Sequence, residues 1–227
     1  MDAREVIARR AAKELRDGQV VNLGIGIPTG VANHLPEGVE LTLQSENGCL
    51  LFGPTPSLGD EDPDYANAGA QPISLLPGAS VFDLATSFSI IRGGHVDITM
   101  LGALEVDQEG SIANWARSLA PGKYAPGMGG AMDLLFGARK VVVTIEHSGK
   151  NGSKILRRCR LPITGKSVVD VIITEKAVFE VTDDGLVLKE ILEGLTVDDI
   201  RKITEADFVV AENVGPYQLQ SLASIDG

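Results

Sequence analysis

The sequence predicts an α/β fold: an open, mostly parallel sheet covered by helices, with some antiparallel excursions. Three observations carry this reading. Segments of helical and of strand periodicity alternate along the chain. Residues 141–145 form a near-continuous apolar run, as expected of a strand covered on both faces. Two glycine-rich turns, at 24–30 and 127–130, fall where a strand hands over to a helix. In open sheets of this kind ligands bind beyond the carboxyl ends of the strands, so both turns point toward a site.

The elements follow in order. Ile7, Ala11 and Leu15 recur at helical spacing with Ala8 and Ala12 beside them, giving one inward stripe that Asp17-Gly18 ends. Residues 19–23 then read as a strand leading into Gly24-Ile25-Gly26-Ile27-Pro28-Thr29-Gly30, and 31–35 as a short helix. Val39, Leu41 and Leu43 alternate with polar partners in a half-buried strand that stops at Ser45, which places Glu46 at a strand end. Pro54, Pro56, Gly59 and Pro63 make 53–64 an irregular loop. Residues 83–92 are helical and closed by Gly93-Gly94; 96–101 are a strand, and 107–110 a hairpin turn. A short helix is expected over 131–136. Further strands are expected at 168–174, 178–181 and 208–211. Thr196 and Asp199 make a capping-box start for a helix at 200–203.

A chain of 227 residues that is 44% hydrophobic can bury a sizeable core, and a single domain over 1–227 is expected. The formal charge of −11 argues against nucleic acid or an anionic membrane as partner, since both would be repelled. No run approaches the roughly 20 apolar residues of a membrane span. The arginine-rich start carries Asp2, Glu5, Glu14 and Asp17, which spoils a transit-peptide reading. Two cysteines, Cys49 and Cys159, are no disulfide framework, so a cytoplasmic location is expected. His34, His95 and His147 show no ligand spacing, and no metal site is expected.

Several residues invite a chemical reading beside a plainer one. Glu46 is followed by Asn47-Gly48, where a substrate can approach the backbone; a strand-end Glu is also commonly a solvated surface residue. Cys49 offers a thiol nucleophile, yet it opens the apolar run 49–52 and reads better as a small buried hydrophobe. Gly24 and Gly26 match the first two glycines of a dinucleotide fingerprint, but Thr29 stands at the third, so the turn is either a tight connection or one wall of a ligand cleft. Gly127, Gly129 and Gly130 ahead of a helix offer backbone N–H groups to a phosphate or an oxyanion, or simply a flexible link. Lys150, Lys154, Arg157, Arg158 and Arg160 form a basic cluster on an acidic chain, either solvated or facing the phosphates of a ligand or an acidic partner subunit.

Five ordered motifs together closely resemble the family I CoA-transferases, specifically their B subunit: Leu43-Gln44-Ser45-Glu46-Asn47-Gly48, Asn67-Ala68-Gly69, Leu76-Pro77-Gly78-Ala79, Ile91-Arg92-Gly93-Gly94-His95, and GMGGAMDL over 127–134. The 3-oxoacid, acetate/butyrate and 3-oxoadipate transferases belong to this family. The resemblance runs nearly the length of the chain. It implies a CoA-transferase-like α/β fold and a homologous A subunit completing the site in an αβ or α2β2 assembly. It implies Glu46 as nucleophile and the Gly130 N–H as one oxyanion donor, the other donor belonging to the A subunit. Gly24, Gly26, Asn47, Gly48, Asn67, Gly69 and Gly129 are expected to line the substrate and CoA. No cofactor is expected, CoA being a substrate. The chain departs from the family pattern at Ala70, where a basic residue often follows Asn-Ala-Gly, and in a longer stretch between Trp115 and Gly127.

Overall fold

A computed structural model describes residues 2–120, 122–127, 129–217 and 219, apart from the side chain of Ser118. Its centre is a ten-stranded sheet. In chain order the strands are β1 (Val20–Leu23), β2 (Thr42–Ser45), β3 (Cys49–Phe52), β4 (Leu75–Val81), β5 (Ile98–Gly102), β6 (Val141–Thr144), β7 (Val171–Ile173), β8 (Ala177–Thr182), β9 (Gly185–Ile191) and β10 (Phe208–Pro216). Their spatial order is β10-β9-β8-β7-β6-β5-β1-β2-β3-β4. The five middle strands, β7 to β2 across β6, β5 and β1, are all parallel. The antiparallel excursions lie on the flanks, where β3 and β4 fold back beside β2, and β8 and β9 beside β7.

Helix α1 (Ala3–Ala11) continues as a 3-10 turn over Ala12–Glu14. Its stripe of Ile7, Ala8, Ala11 and Ala12 is buried, and Leu15 follows it inward. These side chains pack on Val21, Ile98, Met100, Val142 and Ile173 of one sheet face. Fully burying a side chain the size of Ile7 contributes about 1.5–3 kcal/mol, so this face is what holds a helix too short to persist alone. Helices α2 (Leu84–Arg92), α3 (Ala131–Gly137) and α4 (Val197–Ile203) cover the other face through Ile91, Leu134, Leu135 and Ile200. Asp83 caps α2 by accepting from Thr86 N, and Thr196 with Asp199 forms the expected capping box on α4.

Several expectations shift in detail. The strand expected from Val39 begins only at Thr42, and the short helix expected at 31–35 is a 3-10 segment over Pro28–His34. Pro28 sits in its first turn, where a missing N–H costs nothing. Strand β4 carries Pro77 and Gly78, which hid it from periodicity; as the outermost strand it tolerates both. Strand β9 also escaped the sequence reading. The stretch that departs from the family pattern forms a hairpin of Ala116–Ala120 with Lys123–Pro126.

At the far end of β6, His147 is fully buried, its ring between the hydroxyls of Thr174 at 3.0 Å and Thr204 at 2.9 Å. Burial pulls its pKa down from 6.5 to about 4. The unfolded chain therefore takes up this proton more readily than the folded one. Stability from the neutral ring is complete above pH 6.5 and is lost as pH falls toward 4, by about 3 kcal/mol in all. Urea titrations between pH 7 and 4 should show this loss, and His147→Gln should flatten that part of the pH dependence. An unchanged slope in the variant would remove His147 from the account.

Candidate active site

Glu46 stands one residue past β2, in the tight turn that joins it to β3. The turn closes with Gly48 N donating to Ser45 O at 3.0 Å, and Gly48 has φ +119°, a value that only glycine adopts without strain. A Cβ at Gly48 would lie 2.0 Å from Phe82 O. The backbone around Glu46 is thus pinned against the segment entering α2.

The Glu46 side chain is half-buried and leans toward the α2–α3 face. Its Oε2 accepts from Asn22 Nδ2 at 3.2 Å. Gly130, buried at the start of α3, lies directly against it: a Cβ there would be 3.2 Å from Glu46 Cγ and 3.1 Å from the Phe88 ring edge. Chain positions 46 and 130 meet because β2 and α3 share one sheet face, and a side chain at 130 would crowd both the carboxylate arm and the Phe88 ring. Met128 of the same motif lies outside the described residues.

The remaining candidates form the surroundings. Gly24 follows β1, its N donating to Met100 O at 2.8 Å, and a Cβ would press on that oxygen at 3.0 Å. Gly26, with φ +96°, has open space around it, as does exposed Gly129. The Asn67–Gly69 loop leans on the first glycine turn, since a Cβ at Gly69 would meet Ile25 Cγ1 at 3.2 Å. Two asparagines are occupied in holding these loops, Asn47 across to the 66–69 loop and Asn67 within it. Asn47 Nδ2 donates to Ala66 O at 2.7 Å, and Asn67 Oδ1 accepts from Gly69 N and Gln71 N at 2.9 and 3.0 Å. Ser45 Oγ accepts from Ala68 N at 3.0 Å, so the strand end and this loop form one wall.

The plainer reading holds for Cys49. Cys49 is buried, and burial pushes its thiol pKa up, away from a reactive thiolate. In the basic cluster, Lys154 pairs with Glu146, Arg157 with Asp207 and Arg160 with Glu205. Among the described residues, no group of His, Cys, Asp and Glu is placed to hold a metal ion, and no helix is long and apolar enough to cross a membrane.

Sequence reasoning missed the floor beneath Glu46. Asn22 and Gln44 are each 1% exposed and Ser87 is fully buried, and they form a polar row across an otherwise apolar face. Strand register places Asn22 beside Gln44 on β2 and Thr99 on β5. The available signal was an amide inside the apolar run Val20-Val21-Asn22-Leu23, since a polar residue in a central strand must find partners or be costly.

An open α/β sheet holding a carboxylate beyond a parallel strand, walled by glycine loops, defines a ligand-handling enzyme site of the strand-end type. Residues 4–202 match the coenzyme A transferase family, and the chain belongs to that family. It is 54% identical to the beta chain of the acetate CoA-transferase of Escherichia coli K12, over 94% of this chain and 97% of that protein. It is 49% identical to the B subunit of the probable succinyl-CoA:3-ketoacid coenzyme A transferase of Bacillus subtilis 168, over 94% and 98% respectively. A solved structure of a variant of the decarboxylase AibA/AibB superposes with a TM-score of 0.74 at 22% identity, covering 96% of this chain and 90% of that one. The last likeness concerns the fold alone, and a fold hosts more than one chemistry. Family membership makes the chain a CoA-transferase, and both relatives that it resembles are subunits called beta or B.

Proposed function

We propose that Glu46 carries CoA as a thioester between two half-reactions, with residues 1–227 acting as one unit. The observation that carries this reading is the meeting of the Glu46 arm with Gly130 at the end of a parallel strand. A Glu46 oxygen attacks the carbonyl carbon of an acyl-CoA; the C–S bond breaks, CoA thiolate leaves and a mixed anhydride remains. The thiolate then attacks Glu46 Cδ, forming the enzyme thioester and expelling the first acid as carboxylate. A second carboxylate attacks the thioester, and the same steps run in reverse. A carboxylate suits the task because the anhydride and the enzyme thioester both conserve the energy of the acyl-CoA thioester bond, whereas a serine ester would not. Such intermediates hydrolyse if water enters, which calls for a closed cleft.

Gly130 N–H serves as one oxyanion donor, and Gly24, Gly26, Asn47, Gly48, Asn67, Gly69 and Gly129 line the approach of substrate and CoA. CoA is a substrate, and no cofactor takes part. The donor is of the succinyl-CoA or acetyl-CoA class and the acceptor a short-chain or 3-oxo acid, in line with the two relatives, whose names differ in these acids at nearly equal identity. Both relatives are named as a subunit, beta or B, which supports a homologous A subunit in an αβ or α2β2 assembly.

The test is to incubate the co-expressed pair with acyl-CoA and no acceptor, then measure intact mass. One CoA should be gained on this chain, and peptide mapping should place it at Glu46. A label on Cys49 or Glu146 refutes the proposal. The partner claim has its own check: this chain purified alone should transfer little or no CoA, and full turnover by the isolated chain overturns it.

A further inference from the structure

The buried polar row beneath Glu46 is more than a satisfied core. Asn22 Nδ2 lies 2.7 Å from Gln44 Oε1, 3.2 Å from Gln44 O and 3.2 Å from Glu46 Oε2, while Gln44 Nε2 lies 3.1 Å from Ser87 Oγ. A primary amide has a donor end and an acceptor end, and turning it by half a revolution exchanges them at little cost in shape. Facing a carboxylate, only the donor end is attractive. Asn22 Oδ1, buried and without a hydrogen-bond partner among the described residues, lies at the other end of the same amide. The Asn22 orientation is therefore set from its donor side, and the second acceptor on that side belongs to Gln44.

Resting on the reading of Glu46 as nucleophile, we infer that Gln44 is a positioning residue: with its Oε1 toward Asn22 and its Nε2 on Ser87, it locks the Asn22 amide with the donor end on Glu46 Oε2. One carboxylate oxygen is thereby held, and Oε1 is the oxygen presented for attack. The lock spans three elements, β1, β2 and α2, and Asn22, Gln44 and Ser87 are each at least nine-tenths buried, so water does not compete for the bonds among these three. Gln44 stands on β2 two residues before the nucleophile and acts only through Asn22.

The experiment uses the co-expressed complex, with thioester formation followed by intact mass in single turnover. Gln44→Leu should slow that step by about 100-fold with the acyl-CoA concentration at half-saturation unchanged, because geometry and not binding is lost. Ser87→Ala removes only one hydroxyl, leaves the amide chain in place, and should slow the step about 10-fold in the same manner. Gln44→Leu added to Asn22→Leu should cost nothing beyond Asn22→Leu alone in the rate of that step, again with half-saturation unchanged, a split that a merely structural role does not produce. A wild-type rate in folded Gln44→Leu overturns the inference, as does a loss for Ser87→Ala that tracks loss of folded complex or adds fully to Asn22→Leu. These results are separate from the nucleophile reading, which fails on its own if the wild-type label maps away from Glu46.

Discussion

Glu46→Gln and Glu46→Ala will leave the complex folded and abolish CoA transfer. The side chain is half-buried, and among the described residues its hydrogen bond is to Asn22 Nδ2, a contact the Gln carbonyl oxygen reproduces. The fold therefore has little reason to respond, whereas an amide cannot form the anhydride. Glu46→Asp keeps the charge but draws the attacking oxygen back by about 1.5 Å, one carbon–carbon bond. Misplacement on that scale costs on the order of 10²-fold or more where reacting groups are held close. Initial rates of the wild-type pair, with one substrate varied at several levels of the other, should give the parallel lines of a double displacement. Substantial transfer by folded Glu46→Ala sinks the mechanism.

The second large effect belongs to Gly130. Its missing side chain leaves room for both the Glu46 arm and the Phe88 ring, and a Cβ would already stand 3.2 and 3.1 Å from them. Valine adds two methyl groups to that crowding and disturbs the aim of the backbone donor. Loss of one oxyanion donor costs about 2.7–4 kcal/mol, or 10²–10³ in kcat. Since the charge it meets develops only in the transition state, kcat should fall far more than the affinity for CoA. A folded Gly130→Val complex with an unchanged kcat would show that the donor lies elsewhere.

The sequence displayed these two residues through different signals. Glu46 stood at the end of an alternating run and Gly130 in a glycine cluster before a helix, and neither spacing alone joins positions 46 and 130. Their meeting depends on β2 and α3 sharing a face, which is a property of strand order. Local patterns did reveal α1, α2, the α4 cap and β6, where periodicity and burial agree. They failed for β4, because Pro77 and Gly78 break the pattern of a strand whose edge position excuses them. They also passed over Asn22 and Gln44, whose partners come from separate elements and so leave no local trace. Asn47 and Asn67 show the converse: they stand in conspicuous motifs, and their amides hold backbone, Asn47 across to Ala66 O and Asn67 within its own loop.

The place of β1 in the sheet has a consequence for how the protein is made. Val21 pairs with Leu43 on one side and Ile98 on the other. The ribosome thus delivers the centre of the sheet long before the strand that covers its second edge. At about 5–20 residues per second, β1 waits on the order of ten seconds for β5 to emerge. Through that interval Val20–Leu23 presents an apolar strand with one bare edge, pairing at a distance that chain entropy makes slow. Synthesis of this chain should accordingly be most prone to aggregation while only its first hundred or so residues have left the exit tunnel, and holdase chaperones should engage nascent chains halted at that length more than those halted beyond β6.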